Sequence, residues 1–383
     1  MTTSTPVFVR TSERTQFTKC RQSWWWSYKE QRKPNEAFSH PLIFGDMIHR
    51  ALAEYYVPET RKERRRGPHP SQTFHRIYNE MDRRAKDFNI HVDDERWVNT
   101  LELGVAMLEG YIDKWKDEDE DILVLYPEMP FQLDLDDPDT GEYLCTYVGT
   151  TDSLVMRMST RQVGLLEHKT AATISTSHLF IDEQASTYWT LIPEWLLRNE
   201  IFPRGKMPEF SFMLYNYLRK GMPEDRPVND QGQALNKPTK EDLVQALAAK
   251  GVSAVSGKPT AKLTKEALET YCATVGIDPE KCGQVSKQQP PPLFHREMVY
   301  RGDFERQMTF ERIVQQVREM NLVRRGKMPH YKAPSKDCSW CEWRDLCELH
   351  ETGNDWRELR KYTTHKWEPY RDHVWSLDLG GSR

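Results

Sequence analysis

Glu167-His168-Lys169 is the stretch whose residue types and spacing can do chemistry. It ends the apolar run Val163-Gly164-Leu165-Leu166, which suits a buried strand with side chains alternating between its two faces. On such a strand Glu167 and Lys169 share one face and His168 takes the other. The carboxylate can hold a divalent metal, and the ammonium can sit beside a phosphate or an attacking water. The bland reading of Glu-x-Lys is a solvated ion pair. Three neighbours sharpen the functional reading. Asp152 precedes Glu167 by one hairpin, so the two carboxylates can lie side by side on adjacent strands. His49 follows Gly45 by one turn of a helix expected over 43–56, near its buried side, and Gly45 permits a close approach there. Gln184 and Tyr188 stand one turn apart on a helix expected over 181–197 and face the same way.

A second cluster is built on sulfur. Cys338-x2-Cys341-x5-Cys347 has metal-ligand spacing but lacks an adjacent fourth ligand. Cys20 is the natural fourth for a four-iron cluster, which accepts a thiolate from a distant part of the chain. His350 competes for that position and would favour zinc. Cys145, Cys272 and Cys282 stand unallied. Seven cysteines, an odd number in clustered spacing, fit a reducing compartment better than a disulfide framework.

The elements that must position these residues follow from the apolar pattern. Residues 122–126, 129–135, 143–148, 153–158 and 163–166 are expected as successive strands of a mainly antiparallel sheet, with further strands over 210–217 and 298–301. Helices are expected over 72–88, 93–116 and 304–323. Residues 15–30 read as a short helix carrying Trp24, Trp25, Trp26 and Tyr28, whose first role is packing. The run Asp117 to Asp121 reads as an exposed acidic turn, and the basic run 61–66 as an exposed linker that either is solvated or contacts phosphate. Residues 222–292 look inserted. They hold two similar segments beginning at Thr239 and Thr264, each a plausible threonine-capped helix, loosely similar to helix–extended–helix modules that sometimes bind DNA. The expected divisions are 1–221, 222–292, 293–350 and a tail over 351–383.

With 29% charged residues and a net charge of −4, the chain reads as a globular protein whose local charge matters more than its sum. No run of about 18 apolar residues marks a membrane span, and the polar N-terminus lacks a signal-peptide core. A cytoplasmic location is expected, bacterial or, for a phage gene, that of the host.

In that order, Gly45-x3-His49, Asp152, Glu167-x-Lys169 and Gln184-x3-Tyr188 resemble the PD-(D/E)XK nuclease superfamily and its RecB-like branch. With Cys20 before and Cys338-x2-Cys341-x5-Cys347 after, the frame looks like the iron–sulfur subset, which includes the CRISPR-associated protein 4 family and the nuclease domain of AddB. The resemblance spans about 17–350 without the insert. It implies an α/β (α+β) fold, a central mixed sheet flanked by helices with an iron–sulfur staple joining the N- and C-terminal segments. It also implies a DNA exonuclease using Mg2+ or Mn2+, held by His49, Asp152, Glu167 and the backbone carbonyl of His168. Lys169 would be the catalytic lysine, with Gln184 and Tyr188 supporting the site or contacting DNA. Cys20, Cys338, Cys341 and Cys347 would carry a structural 4Fe-4S cluster. Arg61, Arg64, Arg65, Arg66, Arg324, Arg325 and Lys327 would track the DNA backbone. Implied partners are DNA and proteins of recombination, replication, repair or CRISPR adaptation, with an oligomer left open. No phosphate loop of a fused helicase is found. His168 stands where the family carries an apolar residue, which implies a less buried strand. Two other readings remain: a catalytically silent DNA-binding protein of this fold, and a zinc-stapled interaction protein.

Overall fold

A long hairpin, whose second strand is buried over most of its length, carries the rest of the fold. The computed structural model describes residues 6–35, 40–60, 62–87, 94–203, 205, 208–364 and 368–370. The chain divides into two compact units, Met1–Lys220 with Phe294–Arg383, and Gly221–Leu293. In the first unit β1 (Phe8–Val9), α1 (Thr11–Lys19), α2 (Arg21–Trp24) and a π-turn over 25–29 lead to three helices, α3 (His40–Tyr55), α4 (Pro70–Asp87) and α5 (Asp94–Trp115). The hairpin of β2 (Ile122–Asp136) and β3 (Tyr143–Arg157) follows, then β4 (Val163–Ala171), α6 (Glu183–Arg198) and β5 (Phe210–Arg219).

The second unit contains α7 (Lys240–Ala249), a short hairpin of β6 (Ala254–Val255) and β7 (Lys258–Pro259), and α8 (Lys265–Thr274). Thr239 and Thr264 cap its helices, and Leu243, Leu247, Leu268 and Cys272 form its core. Cys272 and Cys282 are free thiols that share a hydrogen bond, so the two are allied, contrary to their expected isolation. The chain then returns to the first unit through β8 (Phe294–Val299), α9 (Asp303–Arg324) and α10 (Arg344–Glu351).

The sheet is mixed. β3 gives one edge to β2, antiparallel along its length, and shares the other between β1, parallel, and β4, antiparallel. β4 runs parallel to β5, and β5 antiparallel to β8. Side chains alternate across this sheet: Leu154, Leu165 and Met213 face a core with α6 and α9, whereas Val155, Leu166 and Leu214 face one with α3, α4 and α5. Helices therefore cover both faces.

Four strands expected over 122–158 are in fact two. Their expected breaks, Pro127-Glu128 and the stretch around Gly149, continue the ladder, with Pro127 opposite Ser153 and Phe131 opposite Gly149. The glycine is there for the ring: a Cβ on Gly149 would lie 2.5 Å from Phe131. The aromatic N-terminal segment packs as expected, with Trp24 and Trp26 at most 1% exposed. Part of the tail packs with it, since Trp356 and Tyr362 join Trp26 and Leu346 in a separate apolar cluster. Residues 371–383 of that tail lie outside the described residues.

The acidic turn needs correction at one residue. Asp119 is 3% exposed. It accepts hydrogen bonds from Tyr56 Oη (2.6 Å) and Arg296 Nη2 (2.6 Å), and Tyr56 also bonds Tyr111. The basic run closes over this region. The Arg66 and Arg64 guanidiniums both pair with Glu59 and bond the carbonyl of Ile122, so neither is simply solvated. Arg65 is exposed, and Arg61 lies outside the described residues. Removing one member of a buried ion pair leaves the other uncompensated. Asp119→Ala is therefore expected to destabilise the first unit by about 3–5 kcal/mol in denaturant titration.

Candidate active site

The β3–β4 register, with Ser153 opposite Leu166, sets Asp152 beside the Glu167 end of β4. Asp152 Oδ2 accepts from the backbone N–H of His168 at 2.6 Å, and its Oδ1 lies 3.2 Å from His49 Nδ1. His49 comes from α3, which approaches β4 closely: a Cβ on Gly45 would lie 3.3 Å from Thr170 Oγ1.

Glu167 and Lys169 share one face of β4. Lys169 Nζ donates to Glu167 Oε1 (3.1 Å) and to Gln184 Oε1 (2.8 Å), while Gln184 Nε2 donates to the same Glu167 oxygen (2.8 Å). Tyr188, one turn along α6, lies 3.2 Å from Gln184 Nε2 and donates to the carbonyl of Thr150 at 2.9 Å. The start of α6 is fixed by Asp182, whose carboxylate accepts from the N–H of Ala185. His49, Asp152, Glu167, Lys169, Gln184 and Tyr188 are thus brought together.

His168 points the other way and corrects the expected looser strand. It is 3% exposed, stacks on Tyr56 with ring centroids 5.5 Å apart, and meets Asn216 Nδ2 at 3.0 Å. Asn216 also donates to Tyr111, which joins the Asp119–Arg296 network. Burial pulls the imidazole down to about 3, so it is neutral at neutral pH. A polar side chain replaces an apolar one here because a buried hydrogen-bond network receives it.

Burial and then the neighbouring Asp152 charge push the Glu167 carboxyl up to about 7, with Lys169 pulling it down. For Asp152 burial acts upward, but His49 and the His168 N–H outweigh it and lower the group. Burial acts downward on His49 and Lys169, and the two carboxylates outweigh it in both, raising them. Glu167 Oε2 is buried with no hydrogen-bond partner.

Cys20, Cys338 and Cys341 line one groove, though no three of the cysteines among the described residues are closed around a common metal position. Burial raises the Cys341 and Cys347 thiols. Trp26 Nε1 donates to Cys347 Sγ (3.3 Å) and the Ser335 N–H to Cys338 Sγ (3.4 Å). His350 packs edge-on against Trp26. Cys145 is buried in β3. Of the remaining basic residues, Arg324 is bound to buried Glu13, while Arg325 and Lys327 are exposed.

A family model for the PD-(D/E)XK nuclease superfamily matches residues 11–348. The chain belongs to that superfamily. A comparison with curated proteins gave no match. PD-(D/E)XK nucleases typically use Mg2+ or Mn2+, and membership supports a metal-dependent nuclease. No helix among the described residues is long and apolar enough to cross a membrane.

Among the described residues no three His, Cys, Asp or Glu side chains are closed around a common metal position. The donor chemistry nevertheless fits a divalent cation. An orphaned buried carboxylate oxygen beside a second carboxylate is an arrangement that a cation relieves. His49, Asp152 and Glu167 would hold it, with His49 in its neutral form.

Glu128, on β2, escaped the sequence reading. As a residue it is exposed, yet the protein atoms crowding its carboxyl desolvate it and push it up to about 7, and Asp152, then Glu167 and Asp46, add to the rise against His49. The signal available in sequence was an acid between two prolines inside an otherwise apolar strand, Pro127-Glu128-Met129-Pro130.

The raised Glu167 carboxyl makes the metal-free fold pH-dependent. The folded protein holds this proton more tightly than the unfolded chain. Its stabilising contribution is full below the ordinary value of 4.5 and is lost as pH rises through about 7. Glu167→Gln removes this pH dependence along with the charge that pairs with Lys169. Without metal, its thermal midpoint is expected to change less between pH 4.5 and pH 8 than that of the wild type, as thermal unfolding at the two pH values would show.

Proposed function

We propose that this nuclease is a RecB-like exodeoxyribonuclease that hydrolyses phosphodiester bonds in single-stranded or end-resected DNA. A 4Fe-4S cluster on Cys20, Cys338, Cys341 and Cys347 would be its structural staple. The observation that carries the reading is the Lys169–Glu167–Gln184 hydrogen-bonded set beside Asp152 and His49. A bound Mg2+ or Mn2+ would lower the pKa of a coordinated water and offset phosphate charge. Lys169, kept protonated by Glu167, orients the attacking water or neutralises the phosphate. Gln184 holds Glu167 and Lys169 in register, and Tyr188 ties Gln184 to the backbone of β3. His49 fixes Asp152 from the opposite side.

A groove of about 1230 Å3 reaches the site at Gln184 and Tyr188 and leaves room for a DNA strand. It is lined by Thr150, Gln184 and Tyr188 at one part and by Cys20, Cys338 and Trp340 at another. Trp340 is 84% exposed, and an open indole suits base stacking. Cys20, Cys338 and Cys341 along one groove, and the N–H groups aimed at the sulfurs of Cys338 and Cys347, support a cluster that joins the N-terminal helices to the C-terminal segment. Hydrolysis needs no electron transfer, so the cluster's role here is to hold the two chain ends.

The test is cleavage of end-labelled linear and circular single-stranded DNA by anaerobically purified protein, with Mg2+, Mn2+ or EDTA. Metal-dependent loss of the linear strand is expected, with Lys169→Ala slower by about 10²–10³-fold. The preparation should contain iron and show a broad visible absorbance that Cys20→Ser lacks and Cys145→Ser keeps. Absence of cleavage by protein with its cluster intact would shift the assignment to a silent DNA-binding protein. Zinc in place of iron would remove the cluster.

A further inference from the structure

Glu128 occupies a backbone position that a strand does not require. Its φ is +43°, in the left-handed region that non-glycine residues rarely adopt. The flanking pairs are regular: Pro127 lies opposite Ser153 and Met129 opposite Thr151. The residue facing Glu128 across this interval is therefore Asp152. Met129 is 3% exposed and belongs to the core, whereas Glu128 is turned out of it and remains accessible. Facing Asp152 across the β2–β3 ladder, Glu128 stands at the rim of the candidate active site.

Glu128 across from Asp152, and Asp152 beside Glu167, put three acids on neighbouring strands, where they repel one another unless something positive joins them. Lys169 already serves Glu167 Oε1, and His49 already serves Asp152. Glu167 Oε2, on a residue 2% exposed, has no partner at all. What the arrangement lacks is a positive group reaching that oxygen. We propose that Glu128 is a further ligand of the divalent-cation site, closing on the ion from the β2 side together with Asp152 and Glu167. The proposal rests on the metal-dependent nuclease reading of the same site. Asp152 is held by two hydrogen bonds, whereas Glu128 is exposed.

The experiment is calorimetric titration of the full chain with Mn2+, comparing wild type, Glu128→Gln and Asp152→Asn. Glu128→Gln keeps the size and hydrogen bonding of the side chain and removes only the charge. It is expected to weaken Mn2+ binding by roughly tenfold or more, while the thermal midpoint of the metal-free protein stays the same or rises. Glu128→Asn, whose side chain tolerates the left-handed region, repeats the test should Gln fold poorly. Wild-type Mn2+ affinity in the Glu128 variants, with binding lost in Asp152→Asn, would overturn the proposal and leave the site reading standing. Wild-type affinity in Asp152→Asn as well would remove the site reading and Glu128 with it.

Discussion

Two carboxylates placed side by side in a protein interior repel each other and lose their hydration, and the active-site region is built around that constraint. Asp152 and Glu167 arrive together because β3 and β4 pair in a single register. Slipping that register by one residue would turn Glu167 to the opposite face. The acids differ in their company. Asp152 has the His168 N–H and His49, which hold its charge; Glu167 has Lys169 and Gln184 on one oxygen and nothing on the other. One acid is therefore held ionised while the other is pushed toward protonation. That asymmetry marks Glu167 as the group that gains most from a cation.

The surrounding elements serve this pair from both faces of the sheet. α3 supplies His49 from one side, and α6 supplies Gln184 and Tyr188 from the other. Behind β4, His168 hands its ring to Tyr56 and Asn216, and the chain of bonds continues through Tyr111 to Asp119 and Arg296. A fully bonded network of this kind fixes the strand that carries the reactive residues. Its cost is that each member depends on the others. In a separate apolar cluster, Trp26 joins the N-terminal helices to the C-terminal segment by packing on Trp356 and donating to Cys347 Sγ.

Much of this was legible locally. The alternation in 163–171 assigns Glu167 and Lys169 to one face, and helical spacing pairs Gln184 with Tyr188; the structure places all four in contact. What was not legible depended on distant partners or on backbone angles. Asp119 reads as one acid in a solvated run because Arg296, which justifies its burial, lies 177 residues away. Arg64 and Arg66 read as free charges because Glu59 gives no sign that it is buried. The β2–β3 hairpin reads as four strands because Gly149 resembles a break until Phe131 is seen to need its space. Glu128 was passed over because its φ is not written in its neighbours.

The claim that the Asp152–Glu167 pair holds a catalytic cation is tested most directly by crystallography of the intact protein soaked in Mn2+, with anomalous scattering used to locate the metal. The account predicts an anomalous peak between the two carboxylates, at roughly 2.1 Å from an oxygen of each, with Glu167 Oε2 among its ligands. Ordered density for both side chains with no peak between them, and Lys169 and Gln184 still the only partners of Glu167, would contradict it.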